Sequence, residues 1–184
     1  MQRITALDPA STTGKTKTLF DTIQGKLGMV PNMMRTMGNS PAVLSSYLSF
    51  SNALGEGQLG PELGELIALT VANANRCEYC NAAHSVIGEK LAHIQAAAIA
   101  NARAGRSDEP KIQAALDFAL ALVEKRGFVS EADVQALKAA GYDDAGIAEI
   151  IGHVSLNIFT NYFNNALKVS LDFPAVELNA AIAV

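Results

Sequence analysis

Pro61-Glu62-Leu63-Gly64-Glu65-Leu66-Ile67-Ala68-Leu69-Thr70-Val71-Ala72-Asn73-Ala74, running directly into Asn75-Arg76-Cys77-Glu78-Tyr79-Cys80-Asn81-Ala82-Ala83-His84, is the stretch on which the reading of this chain turns. In its first half Leu63, Leu66, Ile67, Thr70, Val71 and Ala74 recur at spacings of three and four, the period of a core-facing helix that restarts the chain at Gly60-Pro61. In its second half the only two cysteines and one of the three histidines fall within eight positions. On a helix, C-x-x-C-x-x-x-H sets two thiols and an imidazole on one stripe about two turns long. Asn75 and Glu78 have the spacing of a capping box, which predicts Asn75 as N-cap and Cys77 in the first turn of a new helix.

Outward from this stretch the helical pattern continues. A helix is predicted from Thr16 to Leu27, stopped by Gly28 and reset by Pro31-Asn32. Ser40 as N-cap with Pro41 at N1 opens another to about Leu54, broken by Gly55-Glu56-Gly57. Further helices are predicted over Leu91–Ala104, Glu109–Lys125, Ser130–Ala139 (capped by Ser130-x-x-Asp133), and from Asp144 towards Lys168. No run of alternating β-branched residues reads as a strand. The expectation is a single all-α domain over residues 1–184, with residues 1–14 as an extended arm. Shifting the sequence by 84 positions lays Gly57 on Gly141, Glu65 on Glu149, Ile67 on Ile151, Asn73 on Asn157, Asn81 on Asn165 and Ala82 on Ala166. An internally duplicated two-helix unit would explain this echo, with chemistry in the first copy and scaffolding in the second.

The composition, 49% hydrophobic and without tryptophan, suits helices packed through small side chains. A net charge of -4 and the lack of a basic stripe argue against nucleic acid as a partner. No signal-peptide pattern and no run of 18 apolar residues occurs, so no membrane partner is expected and the location expected is cytoplasmic. Thiols stay reduced there, which makes C-x-x-C catalytic or metal-binding rather than structural.

A thiol does redox work as thiolate, and a free cysteine with a pKa of about 8.5 is mostly protonated at neutral pH. Two features can lower it here: the partial positive charge at a helix N-terminus, which on this reading favours Cys77, and His84, one turn beyond Cys80. Glu65, twelve residues before Cys77 and flanked by apolar neighbours, needs a partner if buried, and His84 is the natural one; the alternative is an exposed carboxylate beside Glu62. Two other readings remain open. Cys77, Cys80, His84 and Glu65 are legitimate zinc ligands, though structural zinc sites usually draw their other ligands from far along the chain. The cysteines can also be small hydrophobes in an oligomeric scaffold with no catalysis. His93 and His153 read as surface or satisfied core histidines. Phe159, Tyr162 and Phe163 wall either a substrate pocket or an interface, and Met29, Met33, Met34 and Met37 fill core, border the site or make a subunit contact. Asn73, Asn157 and Asn161, within apolar helices, need hydrogen-bond partners.

Glu65 followed by Cys77-x-x-Cys80-x-x-x-His84, with Pro61–Leu69 before it and Leu156-Asn157-Ile158-Phe159-Thr160-Asn161-Tyr162-Phe163-Asn164 near the end, resembles the alkylhydroperoxidase D-like (AhpD-like), peroxidase-related branch of the carboxymuconolactone decarboxylase superfamily. The resemblance spans roughly residues 15 to 175. It implies an AhpD-like all-helical fold, assembly into dimers, trimers or hexamers, and a thiol peroxidase that uses neither haem nor metal nor other cofactor. Glu65 and His84 would form a proton relay, and Cys80 and Cys77 a peroxidatic and resolving pair. Attack is assigned to Cys80, whose base is four residues on; the reverse assignment stays open. The partners implied are a peroxide and an external dithiol reductant, whether a lipoyl carrier, a thioredoxin-like protein or a small thiol. Tyr79 stands where the best-known members have histidine. With Phe159 and Tyr162 it is a candidate substrate-binding residue.

Overall fold

From Leu63 to Asn73 every residue except Glu65 is buried, so the helix that carries them is the axis of the fold rather than a surface helix with one apolar stripe. The computed structural model describes residues 1–179, and the last five residues of the domain expected over 1–184 lie outside the described residues. Among the described residues there are nine helices: α1 (Gly14–Leu27), α2 (Asn32–Met37), α3 (Pro41–Gly55), α4 (Gly60–Ala74), α5 (Glu78–Lys90), α6 (Ala96–Arg103), α7 (Pro110–Glu124), α8 (Glu131–Ala139) and α9 (Asp144–Leu167). No strand occurs among them, and the fold is all-α. α4 is surrounded by α5, α6, α7 and α9.

The punctuation read from the sequence sets most boundaries. Gly28 closes α1 at φ 73°, a left-handed conformation that suits glycine. Ser40 caps α3 with Pro41 behind it, and Ser130 with Asp133 forms a full capping box on α8. Two expectations are corrected. The helix expected from Leu91 begins only at Ala96, because α5 runs on to Lys90 and residues 91–95 turn back, His93 at φ 56° and the Ile94 N–H bonded to Gly88 O at 2.8 Å. The other concerns Asn75, below.

α4 and α9 run parallel: Gly64 lies against His153, and at the other end Asn75 meets Asn161 and Asn165. The 84-residue echo is not matched by a second two-helix unit, since α9 continues unbroken to Leu167 where the first half turns at residues 75–77. Glu149, the echo of Glu65, accepts the N–H groups of Gln58 and Leu59 at 3.1 Å each and so caps the start of α4.

Two apolar clusters result. One joins α4 to α6–α9 through Ile67, Leu69, Leu116, Phe118, Leu137 and Ile150. The other joins α1, α2 and α3 to the start of α5 through Phe20, Met33, Met37 and Leu44, and it contains Cys77, Tyr79 and Cys80. Residues 1–13 carry no helix and lie on α2 and the end of α9, with Leu7 N–H on Arg35 O at 3.2 Å and Arg3 N–H on Leu167 O at 2.8 Å. After α9 the chain passes as an extended strap, residues 168–179, back over α2 and α5.

Candidate active site

The turn that positions the dithiol is a Schellman motif. Arg76 is left-handed at φ 55°, its N–H bonds to Asn73 O at 3.1 Å, and the Cys77 N–H reaches Ala72 O at 2.9 Å. Cys77 is therefore both the last residue of this stop and the N-cap of α5, and its Sγ accepts the Cys80 N–H at 3.3 Å. This corrects the capping box expected at Asn75. Asn75 is committed to closing α4, and its amide donates to Asn161 Oδ1 at 3.0 Å. Cys80, not Cys77, then sits in the first turn of α5, where unpaired N–H groups favour a negative charge.

Both cysteines are free thiols, 0% and 2% exposed. Burial opposes ionisation of Cys80, but the Cys77 thiol, the charge of His84 and the amides of Asn164 and Asn161 outweigh it, and the Cys80 pKa is pushed down to about 7. The Asn164 amide donates to Cys80 Sγ at 3.2 Å and lies 3.2 Å from Met33 Sδ. Cys77 moves the other way: its hydrogen bond to Cys80 and its burial push its thiol well up. One sulfur is thus poised as thiolate and its neighbour held as thiol.

His84 and Glu65 meet as expected, with His84 Nδ1 2.8 Å from Glu65 Oε2. A carboxylate only accepts, so Nδ1 carries the proton and Nε2 is left for other work. Burial lowers the imidazole's pKa, but the charge and hydrogen bond of Glu65 and the charge of Cys80 together raise it above its ordinary value. Glu65, on the axial helix, is thereby spent on orienting His84 rather than left facing water.

A cavity of about 590 Å³ opens beside these groups. Cys80, His84 and Glu65 lie on its wall, Met33, Met34, Ala68, Val86 and Leu156 give it an apolar body, and the half-exposed Leu27, Met29 and Leu91 form its rim. Tyr47 of α3 also lines it. Burial and the negative charges of Cys80 and Glu65 push the phenol far up, so it stays a neutral O–H donor. Tyr79 is on the wall, but its hydroxyl points to α2 and accepts the Met33 N–H at 3.1 Å, while its ring meets Phe173 of the strap edge-on at 5.8 Å. It is a latch rather than a replacement for a proton-carrying histidine.

Phe159 and Tyr162, expected as pocket walls, are not on the cavity: they are 40% and 62% exposed on the outer side of α9. Phe163 packs against the second apolar cluster instead. His153, expected as a surface or satisfied core histidine, is a part-buried residue of the cavity wall whose Nε2 is buried without a partner. The second half of the chain is more than scaffolding, because α9 supplies Asn164 to the thiolate and His153, Leu156, Asn157 and Thr160 to the cavity. Asn164 and Tyr47 escaped sequence reading; nothing in the pattern of α3 or α9 marks them apart from core-facing polar residues. For the zinc alternative, no three cysteine, histidine or acidic side chains among the described residues are gathered closely enough to share an ion.

The site thus combines a cysteine whose pKa is pushed down to about 7 in a helical first turn, a buried partner thiol and a Glu–His pair beside an apolar cavity. Residues 41–121 match the model of the family described as carboxymuconolactone decarboxylase. Among solved structures the chain is similar to an uncharacterized peroxidase-related protein from Silicibacter sp. TM1040, with 29% identity over 90% of this chain and 91% of that one and a TM-score of 0.76. It is similar also to the AhpD-core, peroxidase-related protein from Ralstonia eutropha JMP134, with 25% identity over 93% and 92% and a TM-score of 0.83. The debrominase Bmp8 shares the fold at 23% identity over 86% of each chain, with a TM-score of 0.73. No curated protein matches. These likenesses support the carboxymuconolactone decarboxylase superfamily, in its AhpD-like branch. No described helix is long and apolar enough to cross a membrane.

Proposed function

We propose that the protein is a cysteine-based peroxidase that reduces organic hydroperoxides and is recycled by an external dithiol. The observation that carries this reading is the asymmetry of the two sulfurs: Cys80 is pushed down to about 7 while Cys77 is held protonated. The Cys80 thiolate attacks the terminal peroxide oxygen. The S–O bond forms, the O–O bond breaks, and the departing alkoxide takes a proton from the His84 imidazolium to leave as alcohol. Cys80 is then a sulfenic acid. Cys77 attacks that sulfur, giving its proton to the now neutral His84; the S–S bond forms, the S–O bond breaks, and the oxygen leaves as water with that proton. Two thiol–disulfide exchanges with an external dithiol return both thiols and leave the donor oxidised. Glu65 keeps His84 in one tautomer throughout, and Tyr47 offers its O–H to the peroxide. The apolar cavity supports organic hydroperoxides over hydrogen peroxide, which would not need about 590 Å³. A homo-oligomer working in the cytoplasm belongs to the same proposal.

The test is turnover of cumene hydroperoxide with several dithiol donors. Wild type consumes peroxide; Cys80→Ser does not; His84→Ala is slower by roughly a hundredfold or more, the usual worth of a positioned acid–base group. In Cys77→Ser, mass spectrometry finds the sulfenic acid on Cys80. Sulfenic acid confined to Cys77 in Cys80→Ser would reverse the two roles. Release of bromide from 2,3,4-tribromopyrrole with no peroxide consumed would overturn the peroxidase reading.

A further inference from the structure

The turn that carries the dithiol is tied to α9 by two amides at Asn75. Its side-chain Nδ2 donates to Asn161 Oδ1 at 3.0 Å, and its carbonyl accepts from Asn165 Nδ2 at 2.9 Å. Asn75 is half-buried, whereas Asn161 is wholly enclosed. With Oδ1 taken by Asn75, the Asn161 amide turns its nitrogen inward, and that Nδ2 is buried with no described partner completing a hydrogen bond to it. Asn161 lies one turn before Asn164 on the same face of α9, and Asn164 donates to Cys80 Sγ at 3.2 Å. The Asn161 nitrogen is turned towards that same sulfur, whose ionisation its amide favours.

Such a donor discriminates between the states of Cys80. A thiol or a disulfide sulfur is a weak acceptor and leaves the amide unmet, whereas a thiolate is a strong acceptor and meets it. The donor therefore favours one member of a redox pair, the ionised and reduced dithiol, over the disulfide. Water does not stand in, because Asn161 is 0% and Cys80 2% exposed. What keeps the nitrogen rather than the oxygen on the sulfur is Asn75, since turning the Asn161 amide over would set its NH2 against that of Asn75. Asn75 bonds to Asn161 and Asn161 faces Cys80, so the influence of Asn75 on the sulfur runs through that amide.

We propose that Asn75 is a positioning residue that holds the Asn161 amide on the Cys80 sulfur, and that this pair, by stabilising the reduced and ionised dithiol, makes the Cys77–Cys80 disulfide readily reducible by an external dithiol. In that reduction the donor becomes a disulfide and its two electrons cleave the Cys77–Cys80 bond. One of its protons goes to Cys77 and the other to solvent, because Cys80 is released as thiolate. The proposal rests on the dithiol cycling of the proposed function, but it is measurable without peroxide.

The first readout is the pH profile of Cys80 alkylation in a Cys77→Ser background. Asn161→Leu is expected to raise the midpoint by about one pH unit, a tenfold change in ionisation. Asn75→Asp, whose carboxylate only accepts, turns the amide over and raises it at least as far; in an Asn161→Leu background most of that second shift disappears. The other titratable groups about Cys80, His84 with Glu65, Tyr47 of α3 and Tyr79 with Asp172 behind it, are the same in every variant. The second readout is equilibration of the protein with both cysteines in dithiothreitol redox buffers. Well above the Cys80 midpoints, Asn161→Leu and Asn75→Asp lower the potential by about 30 mV, the tenfold change for a two-electron couple, and well below them the potential stays where it was. Asn75→Ala, a truncation at a half-buried turn position, carries the same signs at smaller size should Asn161→Leu not fold. A midpoint unmoved in the Asn161 and Asn75 variants, an Asn75→Asp shift that persists in full without Asn161, or a potential displaced equally at low pH overturns the proposal. A protein that meets these expectations yet consumes no hydroperoxide sinks the peroxidase reading and leaves this one standing.

Discussion

At the scale of single residues, Cys80 ionises because several modest effects together exceed the cost of burying a charge. The Asn164 amide supplies one at 3.2 Å, and His84, whose pKa Glu65 raises, supplies another. Asn164→Leu therefore raises the Cys80 midpoint from about 7 towards that of a free thiol, and Glu65→Gln does the same by letting His84 lose its proton at lower pH. The pH profile of alkylation in a Cys77→Ser background measures both; an unshifted midpoint in Asn164→Leu means that its amide does not hold the thiolate. The sign follows for turnover. Activity rises as pH climbs through about 7, where Cys80 deprotonates, and falls again where His84, raised above its ordinary value, gives up its proton. Tyr79 belongs to a different economy. Its hydroxyl satisfies the Met33 N–H at the start of α2, so Tyr79→Phe strands a buried donor and lowers stability by about 1–3 kcal/mol while leaving the Cys80 midpoint in place. Chemical denaturation beside the same alkylation profile separates the two effects, and a midpoint that moves with no loss of stability would assign Tyr79 to the chemistry instead.

At the scale of elements, the decisive event is the three-residue turn between α4 and α5, where Cys77 ends one helix and caps the next. Serine caps a helix well and alanine does not, so Cys77→Ser should be more stable than Cys77→Ala by about 1 kcal/mol in equilibrium unfolding, whereas two equal variants would mean that Cys77 does not carry the cap. The sequence showed that two helices met here but not which residue capped the second. Asn75-x-x-Glu78 satisfied the local pattern, and only the left-handed Arg76, an unusual conformation for arginine, moves the cap two positions on. α2 was illegible for a related reason. Its N-cap, Pro31, brings no side-chain cap, and the first two N–H groups are met from far away, Asn32 by Asp172 and Met33 by Tyr79. Helices whose caps are local, α3 and α8, could be read directly.

At the scale of the whole molecule, the parts of the site that lie close in sequence were readable and the parts brought by distant elements were not. Cys77, Cys80 and His84 share one helix, and Glu65 is conspicuous as a lone carboxylate in an apolar run; Asn164, Tyr47 and His153 become site residues only because α3 and α9 flank α4. The outward face of α9 shows the converse error, since the aromatic character of Phe159 and Tyr162 reads the same on either side of a helix. The strap is the last such long-range contribution. It closes over α2, α5 and α6 by Asp172 on the Asn32 N–H, Phe173 on Tyr79, and the Glu177 carbonyl on Arg103. The dithiol is almost wholly enclosed and Phe173 of the strap is part of the cavity wall, so lifting of the strap is the expected route by which a reagent too large for the cavity meets Cys80. Removing two strap contacts with Asp172→Ala and Phe173→Ala, at about 1 kcal/mol each, shifts that local opening by about 2 kcal/mol, roughly thirtyfold. Alkylation of Cys80 by a bulky maleimide should accelerate by about that factor in the double variant, while small iodoacetamide, which enters through the cavity, changes little. If the two reagents respond alike, the strap does not limit access to the thiolate and the cavity is the only way in.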